Sequence, residues 1–139
     1  MLRQTSHLLP IRASRAGLHD FTDAVAEWIA GTGITTGLLA IFCRHTSASL
    51  LIQENAAPAA RRDLERYFAR IAPESADYEH DDEGADDMPA HLRAALTQTS
   101  LSIPIRDARL ALGTWQGIHL FEHRRDAPER EIALHLVGE

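Results

Sequence analysis

The chain has 139 residues, 20 of them acidic and 14 basic, all 14 arginine, for a formal net charge of −6. That charge argues against a nucleic-acid binder working by phosphate neutralisation, and the absence of lysine excludes a Schiff-base or P-loop lysine. A hydrophobic content of 45% with no apolar run of membrane-spanning length reads as one globular domain over residues 1–139, without a membrane span or signal pattern, for which the cytoplasm is the default location.

Residues 2–12 mix apolar and polar positions and read as a first strand. Asp20 stands at a helix N-cap. Phe21, Ala24, Val25, Trp28 and Ile29 follow at helical spacing, and Gly31 sits where that helix should stop. Residues 37–43 read as a buried strand ending in Cys43. As the lone cysteine, Cys43 can form no intrachain disulfide and reads as a small core residue. Residues 49–53 are a second apolar stretch. A helix is expected over 57–71, with Pro58 in its first turn, a stripe of Leu64, Tyr67, Phe68 and Ile71, and Pro73 closing it. A shorter helix is expected from Asp86 or Asp87 to about Leu96, with Met88 and Pro89 in its first turn. Residues 100–105, 110–112, 117–122 and 131–137 alternate as half-buried strands do. The last forty residues are therefore expected to form an antiparallel meander.

Three segments carry groups capable of chemistry. Residues 44–49 (Arg-His-Thr-Ser-Ala-Ser) set hydroxyls around His45 at the end of a strand. An anion site built from Thr46, Ser47 and backbone N–H groups fits this pattern as well as a polar turn does. Glu54 and Asn55 are equally open, since Asn55 also suits a helix cap. Residues 78–91 hold His80, His91 and six acidic residues in fourteen positions. Asp87 and His91 are four apart and share a face if that stretch is helical. They suit a divalent metal or an acid–base pair, and a solvated acidic loop would have the same spacing. Residues 112–117 place Trp115 and Gln116 between two glycines, either as a stacking wall or as a bulged turn with a packing ring. Glu122 and His123 end one strand and Arg130 begins the next. Arg130 there either grips a phosphate or pairs with an acid on the surface. Spacing assigns no role to His119 or His123, while His7, His19 and His135 read as strand or surface residues.

In this order, His45 through Ser49, Glu54-Asn55, His80, Asp87 through His91-Leu92, Leu112 through Gln116, Glu122 and Arg130 resemble the pattern of the YjbQ-like proteins, called the secondary thiamine-phosphate synthase family. The likeness covers essentially the whole chain. Asp86-Asp87 stands where many members have Gly-Asn, and the added carboxylate strengthens a cation site at the expense of an anion site. The resemblance implies a mainly β, jelly-roll-like sandwich with flanking helices, and a homotrimer with pockets between subunits. It also implies the joining of hydroxymethyl-pyrimidine diphosphate to thiazole phosphate as a weak, secondary activity.

On that reading His45, His91 and Asp87 are catalytic, and His45, His80 and His91 hold a zinc or magnesium ion. Thr46, Ser47 and Arg130 hold phosphate oxygens of a small phosphorylated metabolite, which Glu54, Asn55, Trp115, Gln116 and Glu122 also contact. The competing reading is a non-catalytic trimer that binds a metabolite or metal with the same pocket.

Overall fold

Eight strands and three helices alternate along the chain in the computed structural model, which describes residues 1–75 and 77–139. Strands β1 (Arg3–Ile11), β8 (Arg130–Gly138), β3 (Gly37–Cys43), β5 (Ser100–Arg106) and β6 (Arg109–Leu110) lie side by side in a five-stranded sheet. Strands β2 (Gly17–Asp20), β7 (Gln116–Glu122) and β4 (Ala48–Glu54) form a three-stranded sheet. All pairings are antiparallel.

Period-two patterning produces these strands. Leu39, Ile41 and Cys43 of β3 point inward, while Leu38, Ala40 and Phe42 alternate outward. In register, Leu39 lies between Leu136 and Ile103, so the inward rows of three strands meet. Leu50, Ile118 and Leu120 of the smaller sheet close on these rows, and Val25 and Ile29 of helix α1 (Thr22–Thr32) complete one core. The result is the expected β-sandwich. Each fully enclosed Leu or Ile contributes roughly 1.5–3 kcal/mol by leaving water.

The helices flank this core. Asp20 precedes the cap of α1 by one residue, and its Oδ1 accepts hydrogen bonds from Thr22 N at 2.8 Å and Thr22 Oγ1 at 2.7 Å. The helix runs through Gly31 and stops at Gly33, whose φ of 75° is the left-handed terminator. Helix α2 (Pro58–Ile71) encloses no residue completely, although Phe68 meets Phe121 edge to face at 5.2 Å. Helix α3 (Asp87–Leu96) buries Asp87, Pro89 and Ala90 in its first turn. None of the described helices is long and apolar enough to cross a membrane.

The expected C-terminal meander is corrected. β5 and β6 do form a hairpin, but β7 leaves for the small sheet and β8 returns to lie between β1 and β3. Alternation reports which side of a strand is buried, not which strand lies beside it. On the outer face of the large sheet Leu8, Leu38 and Phe42 remain about half exposed, at 51%, 53% and 48%.

Leu120 is fully enclosed between the sheets. Leu120→Ala is expected to lower the unfolding free energy by about 2–5 kcal/mol in urea titrations. Leu96→Ala, at the exposed end of α3, should change it by no more than about 0.5 kcal/mol.

Candidate functional site

The acidic loop and the first turns of α3 converge on one oxygen atom. Asp87 opens the helix, where a carboxylate is favoured by the backbone dipole, and the four-residue spacing brings His91 onto its face. Gly84, at a φ of 106°, turns the loop so that His80 returns to the same point. His80 Nε2 lies 2.7 Å from Asp87 Oδ2, and His91 Nε2 lies 3.2 Å from that same oxygen. These three atoms all lie within 4.8 Å of one another. Two imidazoles and a carboxylate at this separation can hold a divalent cation. A cavity of about 270 Å³ adjoins His80, lined also by Tyr78, Asp81, Ala85 and Met88.

The electrostatics of the cluster are strong. The Asp87 carboxyl is almost enclosed, with 6% of its side chain exposed. That burial works to raise its pKa, but the hydrogen bond from His80 and the charges of His91 and Arg124 outweigh it and hold the carboxyl below its usual range. His80 is raised, first by its hydrogen bond to Asp87. It also lies 3.0 Å from Glu83 and 3.6 Å from Asp82. Arg124 Nη1 donates to Asp87 Oδ1 at 2.5 Å, and Arg124 Nε donates to Asp86 Oδ1 at 3.1 Å. Both residues of the Asp86-Asp87 pair are therefore engaged by one guanidinium.

A second group stands behind the first. Arg130 is buried and bidentate on Glu122, with Nε to Oε1 at 2.7 Å and Nη2 to Oε2 at 2.5 Å. Its Nη2 also donates to the Ser47 carbonyl and hydroxyl. Arg130 is thus neither a free phosphate grip nor half of a surface pair, and the Ser47 hydroxyl oxygen accepts from it. Of the three phosphate-holding residues expected, only Thr46 is exposed.

His45 does not join His80 and His91 within one chain. Its Nε2 accepts the Glu131 N–H at 2.9 Å, and burial, then the charge of Arg130, lower its pKa. Glu122 links the two groups, because its Oε2 also accepts the Arg124 N–H at 3.1 Å. With Nε2 accepting, His45 Nδ1 carries the proton and faces Arg130 Nη1 at 3.5 Å without a hydrogen bond, so the continuous path begins at Ser47 and runs through Arg130, Glu122, Arg124 and Asp87 to the paired histidines.

The remaining expected residues sit elsewhere. Asn55 Nδ2 donates to the Thr114 and Gln116 carbonyls. It pins the 112–117 loop rather than capping α2, whose cap is Ala57. Glu54 accepts from Ala56 N, and the Gln116 side chain accepts from Gly113 N. Trp115 is 64% exposed. Gln116 and Glu122 are at opposite ends of β7, on the order of 20 Å apart for a strand of this length. One chain therefore carries two polar groups, one at each end of that strand.

Sequence reasoning missed Arg124 and the buried polar set beneath the site. His123 Nε2 lies 2.8 Å from Ser49 Oγ, which is 2.5 Å from Thr97 Oγ1. Burial, then the charges of Arg93 and Arg130, push the His123 pKa down to about 3. Nothing in the local pattern marks these residues. The only available signal was an acidic pair facing a run of arginines nearly forty positions away.

The family described as UPF0047 protein YjbQ-like matches residues 7–139 of this chain. A UPF0047 protein of Synechocystis sp. is 49% identical over 138 residues, covering 99% of this chain and 94% of that protein. The UPF0047 protein YjbQ of Salmonella typhimurium is 48% identical over 124 residues, 88% of this chain and 90% of that one. Among solved structures, a YbjQ-like protein of unknown function from Sulfolobus solfataricus P2 has a TM-score of 0.92 at 26% identity, covering 100% of both chains. A yjbq/upf0047 family protein from Clostridium acetobutylicum has a TM-score of 0.81 at 30% identity, covering 95% of this chain and 98% of that one.

Glu122→Ala is expected to cost about 3–5 kcal/mol of stability, because it leaves Arg130 charged and buried without a partner. The double change Glu122→Leu with Arg130→Met should cost less than either single change, which chemical denaturation will check. His123 makes the fold sensitive to acid. Its folded pKa lies below its unfolded value, so the unfolded chain binds more protons between about pH 3 and 6.5. Stability from this residue is complete above pH 6.5 and is lost as pH falls towards 3. An NMR titration should show the His123 ring unprotonated at pH 5, and His123→Gln should flatten the stability slope below pH 6.5.

Proposed function

The chain belongs to the YjbQ-like UPF0047 family, and on that premise we propose that it is a small cytoplasmic enzyme whose His80–Asp87–His91 cluster holds a divalent cation against a phosphorylated metabolite. The observation that carries this reading is two imidazole nitrogens aimed at a single, nearly buried carboxylate oxygen. Zinc suits this donor set. Magnesium would favour the carboxylate oxygens together with those of a diphosphate. Six acidic residues over positions 78–91 repel a bare phosphate, whereas a bridging cation reverses the sign of the site. The fitting reaction is the joining of hydroxymethyl-pyrimidine diphosphate to thiazole phosphate, as a secondary transferase activity. The thiazole ring nitrogen would bond to the methylene carbon of the pyrimidine as the C–O bond to pyrophosphate breaks, the leaving group taking the bonding electrons, and a cation held by His80, Asp87 and His91 would supply Lewis-acid stabilisation of the charge on that leaving group. His91 and His45 are the groups suited to move protons.

The same proposal includes a homotrimer. A second copy covering Leu8, Leu38 and Phe42 would remove the exposed apolar strip of the large sheet from water. It would also let the Trp115–Gln116 loop of one subunit approach the histidine cluster of another, which a single chain keeps at the far end of β7. A second reading, a non-catalytic metabolite- or metal-binding trimer, is favoured by Arg124. That guanidinium already balances Asp87, so the cluster is electrostatically complete before any cation arrives.

Calorimetric titration with zinc at neutral pH should give saturable binding, weakened at least about tenfold by His91→Ala or Asp87→Asn and unchanged by His45→Ala. Affinity should fall with pH through the raised pKa of His80, because the metal displaces that proton. Loss of zinc binding in His45→Ala alone would refute the assignment. Turnover of the pyrimidine and thiazole pair, abolished by His91→Ala, would separate the enzyme from the binding protein. Sedimentation should report three chains per particle, and a single-chain mass would overturn the assembly.

A further inference from the structure

Asp87 divides its two carboxylate oxygens between different partners. Oδ2 faces His80 Nε2 at 2.7 Å and His91 Nε2 at 3.2 Å, while Oδ1 accepts from Arg124 Nη1 at 2.5 Å. Both oxygens hang on one carbon, so the guanidinium stands directly beside the atoms that would hold a cation. Two further bonds anchor it. Nε donates to Asp86 Oδ1 at 3.1 Å, and Nη2 donates to the Glu83 carbonyl at 2.9 Å. A guanidinium carries five N–H groups. These bonds use one from each nitrogen, which leaves one on Nη1 and one on Nη2 without a partner among the described residues.

Burial within this trio is uneven. The Asp86 and Asp87 side chains are 11% and 6% exposed, while that of Arg124 is 26% exposed. Water therefore meets the donor of the group more than its acceptors. The neighbouring arginines are committed elsewhere. Arg130 is sealed on Glu122, and Arg125 pairs with Glu74 at the outer surface. Charge sets a condition on any anion that arrives. Asp86, Asp87 and Arg124 carry one net negative charge together, and Asp82 and Glu83 add two more within 3.6 and 3.0 Å of the His80 ring nitrogens. A divalent cation on Asp87 turns the trio from −1 to +1, so an anion is admitted after the cation and not before it.

We propose that Arg124 receives the phosphoryl group of the metabolite, its two remaining N–H groups binding phosphoryl oxygens while the cation held by His80, Asp87 and His91 binds another. The assignment rests on the proposed cation site and gives Arg124 the role that the sequence suggests for Arg130. A planar guanidinium already fixed by three bonds loses little freedom on binding, and its fork suits phosphate oxygens as an ammonium does not.

The test is two-step calorimetry on the full-length protein at neutral pH, with zinc first and phenyl phosphate second. Phenyl phosphate should bind saturably to the zinc-loaded protein, with inorganic phosphate competing, and at least about tenfold more weakly to the zinc-free protein. Arg124→Lys keeps the charge and loses the fork. It should hold zinc within about threefold of the parent protein and bind phenyl phosphate at least about tenfold more weakly. Arg125→Gln, which removes the adjacent surface charge, should change neither affinity. In ¹⁵N NMR of the zinc-loaded parent protein, the Arg124 guanidinium signals should shift saturably with phenyl phosphate, a readout that needs no variant. Unmoved Arg124 signals at saturation would overturn the proposal. So would equal phenyl phosphate affinity in Arg124→Lys, equal affinity without zinc, or no competition by inorganic phosphate. Loss of zinc binding in an Arg124→Lys protein with unshifted core amides would reduce Arg124 to a support for Asp87 and overturn it too. Zinc binding without phenyl phosphate binding overturns this assignment alone, whereas no zinc binding overturns the cation site beneath it.

Discussion

The buried ion pair of Glu122 and Arg130 is the constraint on which the rest of the site depends. Both side chains are almost completely removed from water, at 0% and 3% exposure. Desolvating two charges is tolerable only when each is fully paired. Glu122 accepts from Arg130 and from the Arg124 backbone, while Nη2 of Arg130 also donates to Ser47. The end of β7, the start of β8, the 44–47 turn and the 123–125 turn are thereby held to one another. Arg124 is delivered from that junction to Asp86 and Asp87. The position of the histidine cluster therefore follows from a pair of charges that lies outside it.

This arrangement changes the meaning of the acidic loop. Six acidic residues in a short surface stretch repel one another and would extend it. Here two of them are drawn inward onto Arg124, and a third, Glu83, offers it a backbone carbonyl. The loop is folded down by arginine, and only then do His80 and His91 meet over one oxygen. The Asp86-Asp87 pair gains a structural reason, since each carboxylate takes a different donor of the same guanidinium. An amide or a glycine there would leave part of that charge unmatched.

β7 works as an axle between two chemistries. Residues 117–122 are all buried, and the strand pairs on both edges, with β2 and β4. One end carries Glu122 and, through Arg124, the histidine–carboxylate cluster. The other carries His119 and the Trp115–Gln116 loop pinned by Asn55. The polar residues that the sequence suggests for a single pocket thus lie at the two ends of one rigid element. A rigid strand cannot fold back to unite its ends, so within one chain they stay apart.

Much of the architecture was legible in the chain alone. Period-two rows in residues 37–43 and 131–137, the Pro58 helix start and the spacing of Asp87 with His91 are local patterns, and local patterns report local geometry. The ordered motifs likewise identified the family. What only the tertiary structure decided was partnership. Alternation in 117–122 could not say that β7 joins the smaller sheet, and the residues flanking Arg130 could not say that its guanidinium is sealed on Glu122 instead of open to phosphate. His45 had the same residue type as His80 and His91 but a different neighbour, the Glu131 amide. The physical reason is the same in each case. Backbone preference and hydrophobic period act over a few residues. The pairing of buried charges and strand edges is settled by groups dozens of positions apart, which meet only when the whole core closes.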